Sequence, residues 1–190
     1  MSWCLCAGIS WPLGASLVKT PNWPWVSSPE SSTVNRSVNS SACSPSPRLR
    51  KKASGDETQG QFGVFTSDAP RGQLIPAHKH HDTHETFYIV EGKVRVYIED
   101  RDGTKRSQLL EPGDFGFVPS GLAHAYQVQE SARILGTATG GFERFFQQMG
   151  TPVDRPSPDQ PPFIPDFPRM QAAAQQHNMQ LMQGFEWPDA

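Results

Sequence analysis

Between residues 61 and 140 the apolar runs, rich in Val, Ile, Phe and Tyr, are all short, because Gly, Pro and Asp break them at close intervals. A segment punctuated in this way has little room for helices and folds as short strands joined by tight turns. In the run KVRVYIED, Val94, Val96 and Ile98 fall on one face and Lys93, Arg95 and Tyr97 on the other, the period of two of a half-buried strand. Asp100-Arg101-Asp102-Gly103 follows as a hairpin turn. Further strands are expected at 61–67, 73–79, 85–91, 105–110, 114–118, 123–129 and 132–138. Eight short strands make an all-β, double-sheet barrel, and 190 residues suit one domain with its own core.

The flanks differ from this segment. Residues 1–60 are rich in Ser, Pro and Trp, lack strand or helix periodicity and end in the basic run Arg48, Arg50, Lys51, Lys52, so they are expected to form a disordered arm. Cys4, Cys6 and Cys43 all lie in it, in no disulfide or thiolate-metal spacing. Residues 141–190 are expected to form a helical tail on the barrel. GGFERFFQQMG places Phe142, Phe145, Phe146 and Met149 at helical spacing, and a second helix is expected to start near Pro168, after Asp166, and to run to Gly184. Between them lies the Pro-rich connector TPVDRPSPDQPPFIP.

A net charge of -2 provides no basic field for nucleic acid or an anionic membrane, and no stretch has the apolar length to span a bilayer. The opening segment lacks the basic residues of a secretory signal, so a cytoplasmic location is expected, with secretion as the alternative.

The chemistry resides in two segments. In GQLIPAHKHHDTHETFYIVEG, His78 and His80 are two apart and so leave a strand by the same face. Glu85 follows after a turn and can return a carboxylate to the same interior patch. In PGDFGFVPSGLAHAYQ, Gly113, Pro119 and Gly121 supply turns that bring a later strand across the barrel with His124 near its start. Three imidazoles and one carboxylate suit a single divalent transition metal, Fe, Cu, Ni, Mn, Co or Zn, with room for water or substrate. His81 and His84 fall outside this patch and read as rim residues, and Asp82 as a turn residue.

These two segments resemble the two motifs of the cupin superfamily (RmlC-like), from Gly72 to Gly92 and from Gly113 to His124. The second departs at its last position, where Val128 stands in place of the usual Asn. HETFYIVEGKVRVY, EPGDFGFVPSGLAHAYQV and GGFERFFQQMGTP together resemble the quercetin 2,3-dioxygenase type of cupin. The resemblance implies a cupin double-stranded β-helix, or jelly-roll barrel, with a short helical C-terminal tail. It also implies metal on His78, His80, Glu85 and His124, with Glu85 doubling as the catalytic base that takes a proton from a flavonol-like enol before dioxygen attacks the ring. Phe87, Phe115, Phe117 and Tyr126 are candidates to line an aromatic pocket, and core packing explains each of them equally well.

The expected function is a metal-dependent oxidoreductase, a dioxygenase of the quercetinase type acting on a phenolic or enolic small molecule in secondary metabolism. The alternatives are a metal-dependent cupin isomerase, cyclase or decarboxylase, or a non-catalytic binding cupin. Exposed sheet edges suggest a homodimer.

Overall fold

The computed structural model describes residues 16–18, 47–150 and 166–187. The rest of the expected arm and the Pro-rich connector at 151–165 lie outside these residues.

The barrel is built on one ribbon. Strands β5 (Glu85–Glu99) and β8 (Ala123–Thr139) pair antiparallel from Glu85↔Ala138 to Glu99↔Ala123, so the two pairs of strands expected from sequence at each place are single long strands. Gly92 is the reason. It has φ +79, and a Cβ there would collide with the Ser131 carbonyl oxygen and Ala132, so the ribbon kinks at this point through three register shifts between Ile89 and Val94. A glycine bulge bends a strand without ending its ladder, whereas the sequence pattern reads the same glycine as a turn.

Each half of the ribbon carries one sheet. The half that includes Glu85 lies in the order β1-β7-β5-β8-β3-β2, with β1 (Ser16–Val18), β2 (Arg48–Ala53), β3 (Phe62–Ala69) and β7 (Phe115–Val118). The other half takes β6 (Lys105–Leu110) on β5 and β4 (Leu74–His80) on β8, with β9 (Met179–Leu181) outside β4. Phe87, Ile89, Val118 and Ile134 from the first sheet share one core with Val94, Val96, Ile98, Leu110 and Val128 from the second. Val128, the departure from the motif, is therefore a core residue.

The boundary of the arm at residue 60 has to be moved. Arg48–Ala53 is a strand paired with β3, and the turn that follows is anchored where the Gly55 N–H donates to Glu143 Oε1 at 2.6 Å. The signal was disguised because β2 is an edge strand, where exposed cations are common and apolar alternation is not required. β1 likewise pairs with β7 inside the stretch read as arm.

Helix α1 (Glu143–Met149) and helix α2 (Phe167–Gln176) pack Phe142, Phe145, Ala173 and Ala174 with Phe65, Ala138 and Met179 in a second core. Asp166 caps α2 by accepting from the Arg169 N–H at 3.0 Å, with Pro168 in the first turn as expected. The helix does not run to Gly184. Asn178 takes φ +51, a left-handed stop that Asn tolerates, and the chain turns into β9 to pair His80↔Met179 and His78↔Leu181. Among the described residues no helix is long and apolar enough to cross a membrane.

A chain starting at residue 57 lacks β2 and the Gly55 donor to Glu143, so it is expected to melt roughly 3–10 °C below a chain starting at residue 47 in a thermal unfolding scan. Equal midpoints would show that β2 adds nothing to the barrel.

Candidate metal centre

Four side chains meet inside the barrel. His78 and His80 project from the same face of β4, Glu85 opens β5, and His124 lies near the start of β8, directly across from His78. Their exposures are 5%, 1%, 5% and 1%, and one ligand atom from each lies within 4.8 Å of the others. The meeting is a consequence of the kink. His124 pairs with Ile98, thirteen residues along β5 from Glu85, a span of about 43 Å in a straight strand. Yet His124 Nε2 lies 3.2 Å from Glu85 Oε2, and His80 Nε2 lies 3.6 Å from the same oxygen.

The surroundings orient the rings. His78 Nδ1 lies 2.7 Å from the Pro76 carbonyl and His124 Nδ1 lies 3.1 Å from the Leu122 carbonyl. Donation from both Nδ1 atoms leaves each Nε2 as a bare lone pair aimed into the cluster. Neither ring nitrogen of His80 has a hydrogen-bond partner although both are buried. A buried polar atom without a partner is costly, and a cation among these four side chains would satisfy it. The donor set of three imidazoles and one carboxylate fits a divalent transition metal such as Mn, Fe, Co, Ni, Cu or Zn.

Electrostatics favour the same occupant. Burial, reinforced by the neighbouring His124 and His80, pushes the His78 imidazole down to about 3. Burial alone would push Glu85 up, but the His124 and His80 rings beside it outweigh that effect and hold the carboxyl below its ordinary range. Neutral imidazole and ionised carboxylate are the forms that bind a cation.

Of the aromatic residues expected to line a pocket, Phe87 and Tyr126 face the interior, their rings 5.6 Å apart, and burial, with Glu85 nearby, pushes the Tyr126 hydroxyl up. Phe115 and Phe117 do not line it. Along β7 the inward positions belong to Gly116 and Val118, so Phe115 is 38% exposed and Phe117 stacks on His84 at 5.8 Å. The strand alternates its faces, and the sequence did not show which of its two phases points inward. His81 and His84 are exposed, and His84 Nδ1 accepts from the Ser120 N–H, which fits their reading as rim residues. Asp82 accepts from the Asn178 side chain at 2.8 Å.

One residue near the cluster was missed. Phe142 sets its ring 4.3 Å from His80, edge to face at 72°. The helical spacing with Phe145 and Phe146 marked it for packing, but nothing local indicated that it would reach a ligand.

Roughly one transition metal per chain is expected on purification, with His78→Ala and His124→Ala each losing most of it by elemental analysis. Full occupancy in both variants would refute the assignment. The metal-free chain should also lose stability as pH falls from about 6.5 towards 3, because the unfolded chain protonates His78 in that window and the folded chain does not. A melting temperature unchanged between pH 7.5 and pH 5 would contradict this.

Comparison with known proteins agrees with the geometry. Residues 65–135 match the model described as "Cupin domain". The quercetin 2,3-dioxygenase of Bacillus subtilis is 34% identical over 99 residues, 51% of this chain and 28% of that protein. The quercetin 2,3-dioxygenase of Aspergillus japonicus is 29% identical over 94 residues, 47% of this chain and 27% of that protein. An oxalate decarboxylase of B. subtilis is 36% identical over 53 residues, 28% of this chain and 14% of that protein. The chain thus spans less than a third of the length of these relatives. The bent barrel that gathers His78, His80, Glu85 and His124 thus contains, over residues 65–135, a match to the cupin domain.

Proposed function

We propose that the chain is a metal-dependent oxygenase of the quercetinase type, acting on a flavonol-like or other phenolic or enolic small molecule with dioxygen. The observation that carries this reading is Glu85, the only carboxylate in the described metal-binding cluster, buried and held ionised beside three imidazoles. A transition metal bound there would lower the pKa of a hydroxyl coordinated to it. Glu85 Oε2 lies on the edge of the cluster, close enough to the His80 and His124 nitrogens to reach a hydroxyl at the same centre and accept its proton. His78, His80 and His124 suffice to keep a cation in place while Glu85 does so. Phe87, Tyr126 and the surrounding core exclude water and leave aromatic surface towards a planar substrate. The two dioxygenase relatives support the same chemistry.

A second reading, a metal-dependent decarboxylase, isomerase or cyclase, draws on the same cluster and on the match to oxalate decarboxylase. Such an enzyme turns over without consuming oxygen, so oxygen-electrode measurements on the metal-loaded chain with a panel of flavonols separate the two.

Glu85→Gln tests the role of the base, since it keeps the shape and abolishes the basic carboxylate. Metal should stay on the three histidines while turnover falls about a hundredfold to ten-thousandfold. Retention of both metal and a near-normal rate on an identified substrate would rule Glu85 out as the base.

A further inference from the structure

All four ligands are nine-tenths buried or more, so a substrate reaches them only by displacing part of a wall. The ring of Phe142 covers His80 at 4.3 Å on one side. Phe142 also lines a cavity of about 240 Å³, together with Asp82, Arg144, Gln176, His177 and Asn178. Phe142 thus touches both the candidate metal cluster and this outer cavity. It follows Gly140 and Gly141, both at positive φ (+69 and +73), and stands at the cap of α1. Its remaining contacts are aromatic, stacked on Phe145 at 5.3 Å and edge-on to Phe146 at 5.0 Å, and another flat ring could replace them.

The outer cavity differs in chemistry from the barrel interior. Apart from Phe142, every side chain in its lining that extends beyond a glycine is polar. It presents acceptors and donors together, the Asp82 carboxylate beside the Asn178 amide, and the Arg144 guanidinium, which also donates to Asp56 at 2.8 Å. A bare anion would meet the Asp82 charge, whereas hydroxyl groups donate to the one and accept from the other. The volume also falls below the roughly 300–1,000 Å³ of sites that hold a whole ligand, so the cavity suits part of a molecule whose remainder lies elsewhere.

We propose that Phe142 is the specificity-determining wall of this site, and that the outer cavity receives the hydroxylated second ring of a two-ring phenolic substrate whose first ring lies against His80. The identity of the first ring rests on the oxygenase reading above, but the role of Phe142 as a wall does not.

The test uses the full chain loaded with Co²⁺. Phe142→Ala is expected to speed extraction of Co²⁺ by EDTA roughly tenfold at unchanged stoichiometry, as opening a gating step does. Phe142→Leu, which keeps an apolar side chain at that position, should give an intermediate rate. Phe146→Ala, in the same aromatic cluster but not against a ligand, should stay within about twofold of the parent. Parent-like rates in both Phe142 variants, or equal acceleration by Phe146→Ala, would overturn the wall. For the cavity, the visible bands of the Co²⁺ protein are titrated with quercetin and with catechol, a single ring. The double variant Arg144→Ala with Gln176→Ala should weaken quercetin about fivefold or more and leave catechol within about twofold. An equal effect on both phenols, or on neither, would overturn the cavity assignment. If the parent binds neither phenol, the oxygenase reading and the cavity assignment both fall, while the extraction rates still decide the wall.

Discussion

The kink at Gly92 is the constraint on which the rest of the molecule depends. Without it, Glu85 and His124 would sit at opposite ends of a ribbon about 43 Å long, and the two halves of that ribbon could not face one another. With it, the β5 and β8 ladder continues through the bend, each half seeds a sheet, and the inner faces of the two sheets close on a common core. The position admits only a residue without a side chain, because the Ser131 carbonyl occupies the place of a Cβ. The metal-binding cluster is thus a product of backbone geometry as much as of its four side chains.

The site is framed by paired strands on one side and by aromatic rings on the other. His78 and His80 project from a strand held between β8 and β9, and the carbonyls of Pro76 and Leu122 fix two of the rings. The side towards the helices is different. There Phe142, Phe145 and Phe146 make an aromatic cluster that follows two glycines. A framed binding set beside an aromatic wall is what the proposed oxygenase would need. The burial that depresses the His78 pKa also keeps that imidazole neutral across the neutral range, at a cost in stability of the metal-free chain towards acid.

The sequence by itself determined the barrel and its four metal-binding residues. Strand alternation and turn residues act over a few positions, so the period of two in KVRVYIED and the i, i+2 spacing of His78 and His80 are both legible locally. Spacing and turn residues brought Glu85 and His124 to the same patch, and the similarity of two motifs to a known family agreed with it. Strand phase was less legible: Phe115 and Phe117 alternate with Gly116 and Val118, and only the sheet above β7 decides which pair points inward. The edge strand Arg48–Ala53 was invisible because an edge is stabilised by its ladder and tolerates charge on both faces. The tertiary structure alone decided that Gly92 bends a strand instead of ending it, that Asn178 sends the chain back along β4, and that Phe142 reaches His80. Each of these is a contact between residues far apart in the chain, set by how two sheets and two helices close on one another, and no local pattern of side chains encodes it.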